Sequence, residues 1–292
     1  LRGRRVRVSD RLVEWLHRDG ALGGVGESLA GVARRVEIDV AIDDLGLDAV
    51  TLARLTRLAR ERLRAARLEC PSPGMAIAVG AALALGWSRG ALCTDLARLV
   101  EGSAEDVAAR IAGLRAEALL SNSLILLDAS TAPDEVASCL VRTLRDGLED
   151  AGVVLCGAQA MPAWCAALCA GWRVEDLPLP APAARLALWQ AAVAGHARQP
   201  DAAALDTVAA RYELSALTIR EAAGEAVRLA AAARTRVSIA HLDAACHAHF
   251  ECELDGLAER LRVGTLCVHD IVLPDREGRQ FREMVEFGRH RE

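Results

Sequence analysis

The sequence contains no lysine, and all 35 of its basic side chains are arginines. Amine chemistry is thereby excluded, from Schiff-base formation to the phosphate-gripping lysine of a nucleotide loop. Asn122 is the only asparagine, and Ala and Arg dominate, as in a chain encoded by a GC-rich genome. Long apolar runs are missing too. The longest, Met75 to Trp87, is thirteen residues broken by Gly80 and Gly86, whereas a membrane-spanning helix needs about twenty. No membrane partner is expected, despite a mean hydropathy of +0.19. No signal peptide opens the chain, because the first residues are charged and no apolar stretch follows them. A cytoplasmic setting follows, and a start at Leu1 is expected of a segment cut from a longer protein. The net charge is −5 and the pI near 5.9. Arginines alternate with Asp and Glu, and the lone basic cluster, Arg2, Arg4, Arg5 and Arg7, is short, so no nucleic-acid footprint is expected. The nine cysteines are odd in number and scattered, which reads as reduced thiols rather than a disulfide framework.

The composition otherwise favours folding. With 292 residues, 52 % of them apolar, the chain can bury a sizeable core, and its length suggests about two compact units. After Ser9 or Asp10 as N-cap, Leu12, Val13, Trp15 and Leu16 supply the apolar face of a short helix that Gly20 stops. A second amphipathic helix is predicted from about Asp48 to Ala66, and Cys70-Pro71-Ser72-Pro73-Gly74 punctuates the chain as a boundary. The apolar segment Met75 to Ala84 fits strand, helix, or a strand turning into a helix. Ala104 to Leu120 and Asp134 to Asp150 are predicted helices; Ser123 to Asp128 and Gly152 to Gly157 are predicted buried strands. Strands apolar on both sides and alternating with helices imply a parallel sheet covered on both faces. After Pro178, Pro180 and Pro182 the chain reads as four helices: Ala183 to Ala197, Ala202 to Tyr212, Leu217 to Thr235 and Ile239 to Cys252.

This order resembles that of an AAA+ ATPase module, an α/β core of the P-loop NTPase type followed by a four-helix lid. Leu124 to Asp128 looks like a Walker B strand and Val153 to Gln159 like the sensor-one strand. Leu179-Pro180, Arg185 and Trp189 resemble the passage into the lid, and Leu217 to Ala222, with Arg220, the start of the sensor-two helix. Val268-His269-Asp270-Ile271-Val272-Leu273-Pro274 resembles the linker ahead of a second AAA+ module. Tandem ATPases of this kind accompany bacterial contractile injection systems. The resemblance implies residues 1–40 as the tail of a winged-helix-like region, 41–74 as linker and helix, and 75–182 as the α/β core. It further implies 183–252 as the lid and 253–292 as a linker toward the next module.

Departures from the pattern carry the functional expectation. A P-loop needs Gly-x₄-Gly-Lys-Ser/Thr, so that backbone amides and a lysine hold phosphate and a hydroxyl holds Mg²⁺. Between Pro73 and Ala82 the chain offers Gly74 and Gly80 but no lysine, arginine or hydroxyl. Asp128 is followed by Ala129, not a water-polarising carboxylate, and Cys156 by Gly157, where sensor one places Asn or Thr. Gly74, Gly80, Asp128, Gln159 and Arg220 are thus remnants of a nucleotide site, with no catalytic residue and no metal ligand assigned. Beside Glu221 and Glu225, Arg220 is expected as a solvated or salt-bridged helix residue, and Asp128 as a hydrogen-bonded strand end or helix cap.

The expected function is a degenerate, non-hydrolysing AAA+ module. It would act as an assembly or regulatory tier for an active ATPase module downstream, which would use ATP and Mg²⁺, while this chain would carry no cofactor. The partners so implied are the downstream module, further copies in a hexameric ring, and a protein substrate or assembly component. One alternative is a divergent ATP-binding module. Another is a zinc-stabilised helical adaptor built on Cys246, His249 and Cys252 with His241, although Cys246 and Phe250 pointing into a helical core explains that cluster more simply. Cys165 and Cys169, four apart on an apolar helix, read as core rather than redox residues.

Overall fold

The computed structural model describes residues 25–26, 29–37, 41–61, 65–148, 151–158, 161–194, 196, 200–254 and 280. The helix expected near Leu12, Gln159, the linker-like segment and most of 253–292 lie outside the described residues.

Six strands form one sheet in the order β1-β3-β4-β5-β2-β6: β1 Ala33–Val36, β2 Ala65–Glu69, β3 Gly90–Asp95, β4 Ser123–Asp128, β5 Val153–Gly157 and β6 Arg173–Asp176. All neighbours are parallel except β1, which runs antiparallel to β3 with Arg34 opposite Cys93. Successive side chains of a strand alternate between faces, so each apolar run feeds two layers. Leu124, Leu126, Val154 and Cys156 pack with Met75, Ala76, Val79 and Leu83 of α2 (Pro73–Gly86). Ile125, Leu127, Val153 and Leu155 pack with Val107, Ile111 and Leu114 of α4 (Ala104–Leu120) and with Leu144 and Leu148 of α5 (Ser138–Leu148). Short helices α3 (Leu96–Leu99) and α6 (Ala163–Leu168) complete the second layer.

The two strands expected from sequence are present as β4 and β5, and Met75 to Ala84 is wholly helical. Four strands escaped the sequence reading. Ala65-Ala66-Arg67-Leu68-Glu69 consists of helix formers, and the expected helix from Asp48 to Ala66 ends instead at Glu61 as α1 (Ala49–Glu61). Inserted between β5 and β6, the segment becomes β2, with Ala66 and Leu68 buried and Arg67 paired to Glu69 at 2.6 Å. The sheet therefore starts before residue 75, inside the stretch expected as linker and helix. Likewise Ala33–Val36, expected in the tail of a preceding region, is an edge strand of this sheet, tied by Arg35 to buried Glu117 at 3.0 Å. In β6 the buried Glu175 is held by Arg173 at 3.1 Å and Arg54 at 3.3 Å. Helix α5 begins four residues later than expected, since the Pro133 carbonyl accepts the Trp164 indole N–H at 2.7 Å in a non-helical lead-in.

Four helices follow the sheet: α7 Pro182–Val193, α8 Ala202–Arg211, α9 Ala216–Ala232 and α10 Ile239–Leu254. The described residues divide into two units, one running to Leu188 with Leu214–Arg220, the other comprising Trp189–Glu213 and the residues from Glu221 onward. In the second unit Asp243 of α10 accepts from the Tyr212 hydroxyl at 3.1 Å and from Arg211 at 3.4 Å, while His247 lies 3.3 Å from the same hydroxyl.

Candidate functional site

Strands β3, β4 and β5 follow one another across the sheet, but β2 lies beyond β5 and the chain crosses it again to reach β6. In open α/β sheets the crevice at the carboxyl ends beside such a reversal is where ligands bind. Here that crevice is bordered by the β2–α2 turn and by the ends of β4 and β5.

The turn is three residues long, since β2 ends at Glu69 and α2 begins at Pro73. Its amides are accounted for one by one. The Cys70 N–H donates to the Gly157 carbonyl at 2.9 Å, and the Ser72 N–H faces the Cys70 sulfur. Pro71 and Pro73 have no N–H. The Met75 and Ala76 amides both turn back to the Ser72 carbonyl, at 3.0 and 3.3 Å. Among residues 70–76 only the Gly74 amide has no acceptor among the described residues. A phosphate cradle needs several free amides converging on one anion together with a cation. This turn offers a single amide, and the chain has no lysine to add.

At the end of β4, Asp128 lies opposite Cys156 and Asp95 and accepts the Ser130 N–H at 3.0 Å, closing a tight turn. The next residue, Ala129, is buried with its amide on the Cys156 carbonyl at 2.8 Å. Gly157 carries the third wall: a Cβ there would sit 2.5 Å from the Met161 sulfur and 3.1 Å from the Ala129 methyl. Where a carboxylate would polarise an attacking water, three apolar groups meet. The nearby thiols are equally unsuited to nucleophilic work. Burial raises the Cys70 thiol despite the Ser72 amide, raises Cys156 well above its ordinary value, and pushes Cys93 up to about 11. The Cys156 S–H is spent on the Ala76 carbonyl at 3.5 Å.

The residues singled out from sequence are placed as follows. Gly74 sits in the first turn of α2 and Asp128 at the β4 end, both at the crevice. Gly80 lies in the middle of α2, where its missing side chain lets the helix close on Leu126; a Cβ would come within 2.9 Å of that leucine. Arg220 is exposed near the start of α9, and Glu225 pairs with Arg228 instead. Gln159 lies outside the described residues. Sequence reading took Pro71 and Pro73 only as a boundary and did not single out Met161, although the Pro-Ser-Pro triplet already removes two amides from the turn. In the Cys246 cluster, Cys246 is buried and pushed up to about 12 by that burial and by Asp243, while His247 meets Tyr212 and His249 lies 3.8 Å from Glu221. Among the described residues no three metal-ligating side chains converge.

No protein-family model matches the sequence, and no curated protein matches it. Solved structures do. The chain is similar to the crystal structure of the FIGL-1 AAA domain, with a TM-score of 0.53 and 14 % identity over 77 % of this chain and 89 % of that one. The same domain in complex with ADP matches at a TM-score of 0.55 and 14 % identity, covering 90 % of this chain and 97 % of that one. A structure described as the basis for katanin self-assembly matches at 0.53 and 18 % identity, over 78 % and 92 % of the two chains. The fold is therefore that of an AAA+ domain, a mostly parallel P-loop NTPase sheet with its following helices. The nucleotide that this fold family implies does not fit the residues present: the turn has neither the amides nor the cation for a phosphate chain.

Proposed function

We propose that the chain is a degenerate AAA+ module that neither grips nor hydrolyses ATP and serves as an assembly or regulatory tier. One observation carries this reading: every amide from Cys70 to Ala76 except that of Gly74 is engaged or replaced by proline. Phosphate contacts supply most of the hold in such sites, and Ala129 removes the carboxylate that would prepare water. The sheet, its two apolar layers and the helices after it do not depend on those groups, so the module keeps its shape without them. A structure of the same fold is described in terms of katanin self-assembly, which supports a role through assembly. The likeness of Val268 to Pro274 to the linker ahead of a second AAA+ module supports a tandem arrangement, with ATP and Mg²⁺ used by the following module. The full protein would form a hexameric ring of the kind that accompanies bacterial contractile injection systems. Isothermal titration of this chain with ATP and with ADP, each with Mg²⁺, should give no saturable heat up to millimolar nucleotide. Micromolar affinity or measurable phosphate release would reject the reading in favour of a divergent ATP-binding module.

A further inference from the structure

A cavity of about 370 Å³ opens on the far side of Asp128 from the β2–α2 turn, between the β4 end and edge strand β1. Residues 31–34 form one wall, and its charged groups are Arg34, Asp95, Arg98 and Asp128, with Cys93 among them. Two of the four charges are committed to each other. Arg98 lies 3.5 Å from Asp95 and donates to the Gly31 carbonyl, while Asp95 also caps α3 and accepts from Thr131 at 2.9 Å. The other two have no ion-pair partner among the described residues. Arg34 is exposed on β1, and Asp128 uses one carboxylate oxygen on the Ser130 amide, leaving the second open. The register fixes their separation: Arg34 is opposite Cys93, Cys93 is opposite Leu126, and Asp128 is two residues further. With strands about 4.8 Å apart and a rise of about 3.3 Å per residue, the two Cα atoms are about 12 Å apart. By strand alternation both side chains rise from the same face of the sheet, so the guanidinium and the carboxylate stand apart above it with space for a small ligand between them. Cys93, only 3 % exposed, stands between them, and the charges of Arg34, Asp128 and Asp95 all act on its thiol.

We propose that this cavity binds a small zwitterion, its carboxylate on Arg34 and its ammonium on Asp128, as carried by a free α-amino acid or a dipeptide. A ligand of one sign would leave one of the two charges without a counterpart, whereas a zwitterion answers both, with a planar carboxylate matching the guanidinium fork. The volume lies within the ordinary range for small-molecule sites and leaves room for a side chain. This site does not rest on the absence of nucleotide binding, and ATP is not its ligand.

Thermal melts of the whole chain against each of the twenty free amino acids and an alanine dipeptide test the proposal. At about ten times Kd a true ligand should raise the melting temperature by about 2–4 °C. N-acetyl and amide derivatives of the same amino acid, which carry one charge, should give no rise. Arg34→Gln and Asp128→Asn should each weaken binding at least about tenfold; the asparagine keeps an acceptor for Ser130, so the turn survives. Free amino acids and the dipeptide separate the two sources of the zwitterion. Failure of all of them at 10 mM (about ten times a millimolar Kd), equal response to singly charged analogues, or full response in both variants overturns the proposal.

Discussion

At the residue scale, small changes of identity remove a large amount of chemistry. Ala129 is one methyl group where a carboxylate would be needed, and it is packed against Gly157 and Met161. On the reading proposed above, a glutamate there would not rebuild a catalytic site, because the β2–α2 turn offers a single amide and the chain has no lysine. Ala129→Glu is expected to show no phosphate release and to lose at least about 2 kcal/mol of stability, since its carboxylate would be buried against apolar atoms without a partner. A coupled phosphate assay and a denaturant melt read both, and turnover in this variant would contradict the account of the crevice. The missing lysine, the proline-flanked turn and the alanine after Asp128 are all visible in the sequence. What closes the space above Gly157 is not, because no residue pattern announces that Met161 packs over it.

At the scale of elements, the start of α1 shows how a local cap holds a helix in the sheet unit. Asp48 accepts the Val50 amide at 2.9 Å, the Thr51 amide at 3.0 Å and the Thr51 hydroxyl at 2.6 Å. These bonds, the hydroxyl first, hold its carboxyl below the ordinary value of 3.8. Asp48→Ala should cost about 0.5–2 kcal/mol, the usual worth of such a cap. Because the folded-state pKa is depressed, the contribution is complete above the unfolded value near 3.8 and disappears as pH falls through the folded one. Denaturant midpoints of the two proteins should therefore differ at pH 7 and converge toward pH 3; a gap that persists in acid would assign the effect to packing. Strands β4 and β5 were legible because continuous runs of Leu, Ile and Val need burial on both sides. Strands β2 and β6 were not, since Ala-Arg-Leu-Glu and Arg-Val-Glu-Asp have no strand preference of their own. They are strands because backbone groups beside β5 and β2 await partners, and because salt bridges to Glu69 and Glu175 satisfy the charges carried in.

For the molecule as a whole, the buried thiols make alkaline stability a readout of both units. Burial pushes Cys93 and Cys165 up to about 11 and Cys169 and Cys246 up to about 12, from an ordinary 9.0. The unfolded chain releases these protons first, so stability is complete below about pH 9 and falls as pH rises toward 12. Chemical melts at pH 8 and pH 10.5 should show a lower midpoint at the higher pH, with a smaller difference in Cys246→Ala. An unchanged midpoint would mean that the thiols are not buried as described. By itself the sequence determined the α/β class, the central strands, the helical second half and the absence of any lysine, since each follows from residue type and short-range pattern. Only the tertiary structure decided which weakly patterned segments became strands, how the amides of the β2–α2 turn are used up, and that Arg34 and Asp128, 94 residues apart, share a cavity. Those depend on long-range strand pairing, and a hydrogen-bond partner supplied by a distant strand leaves no trace in the local sequence.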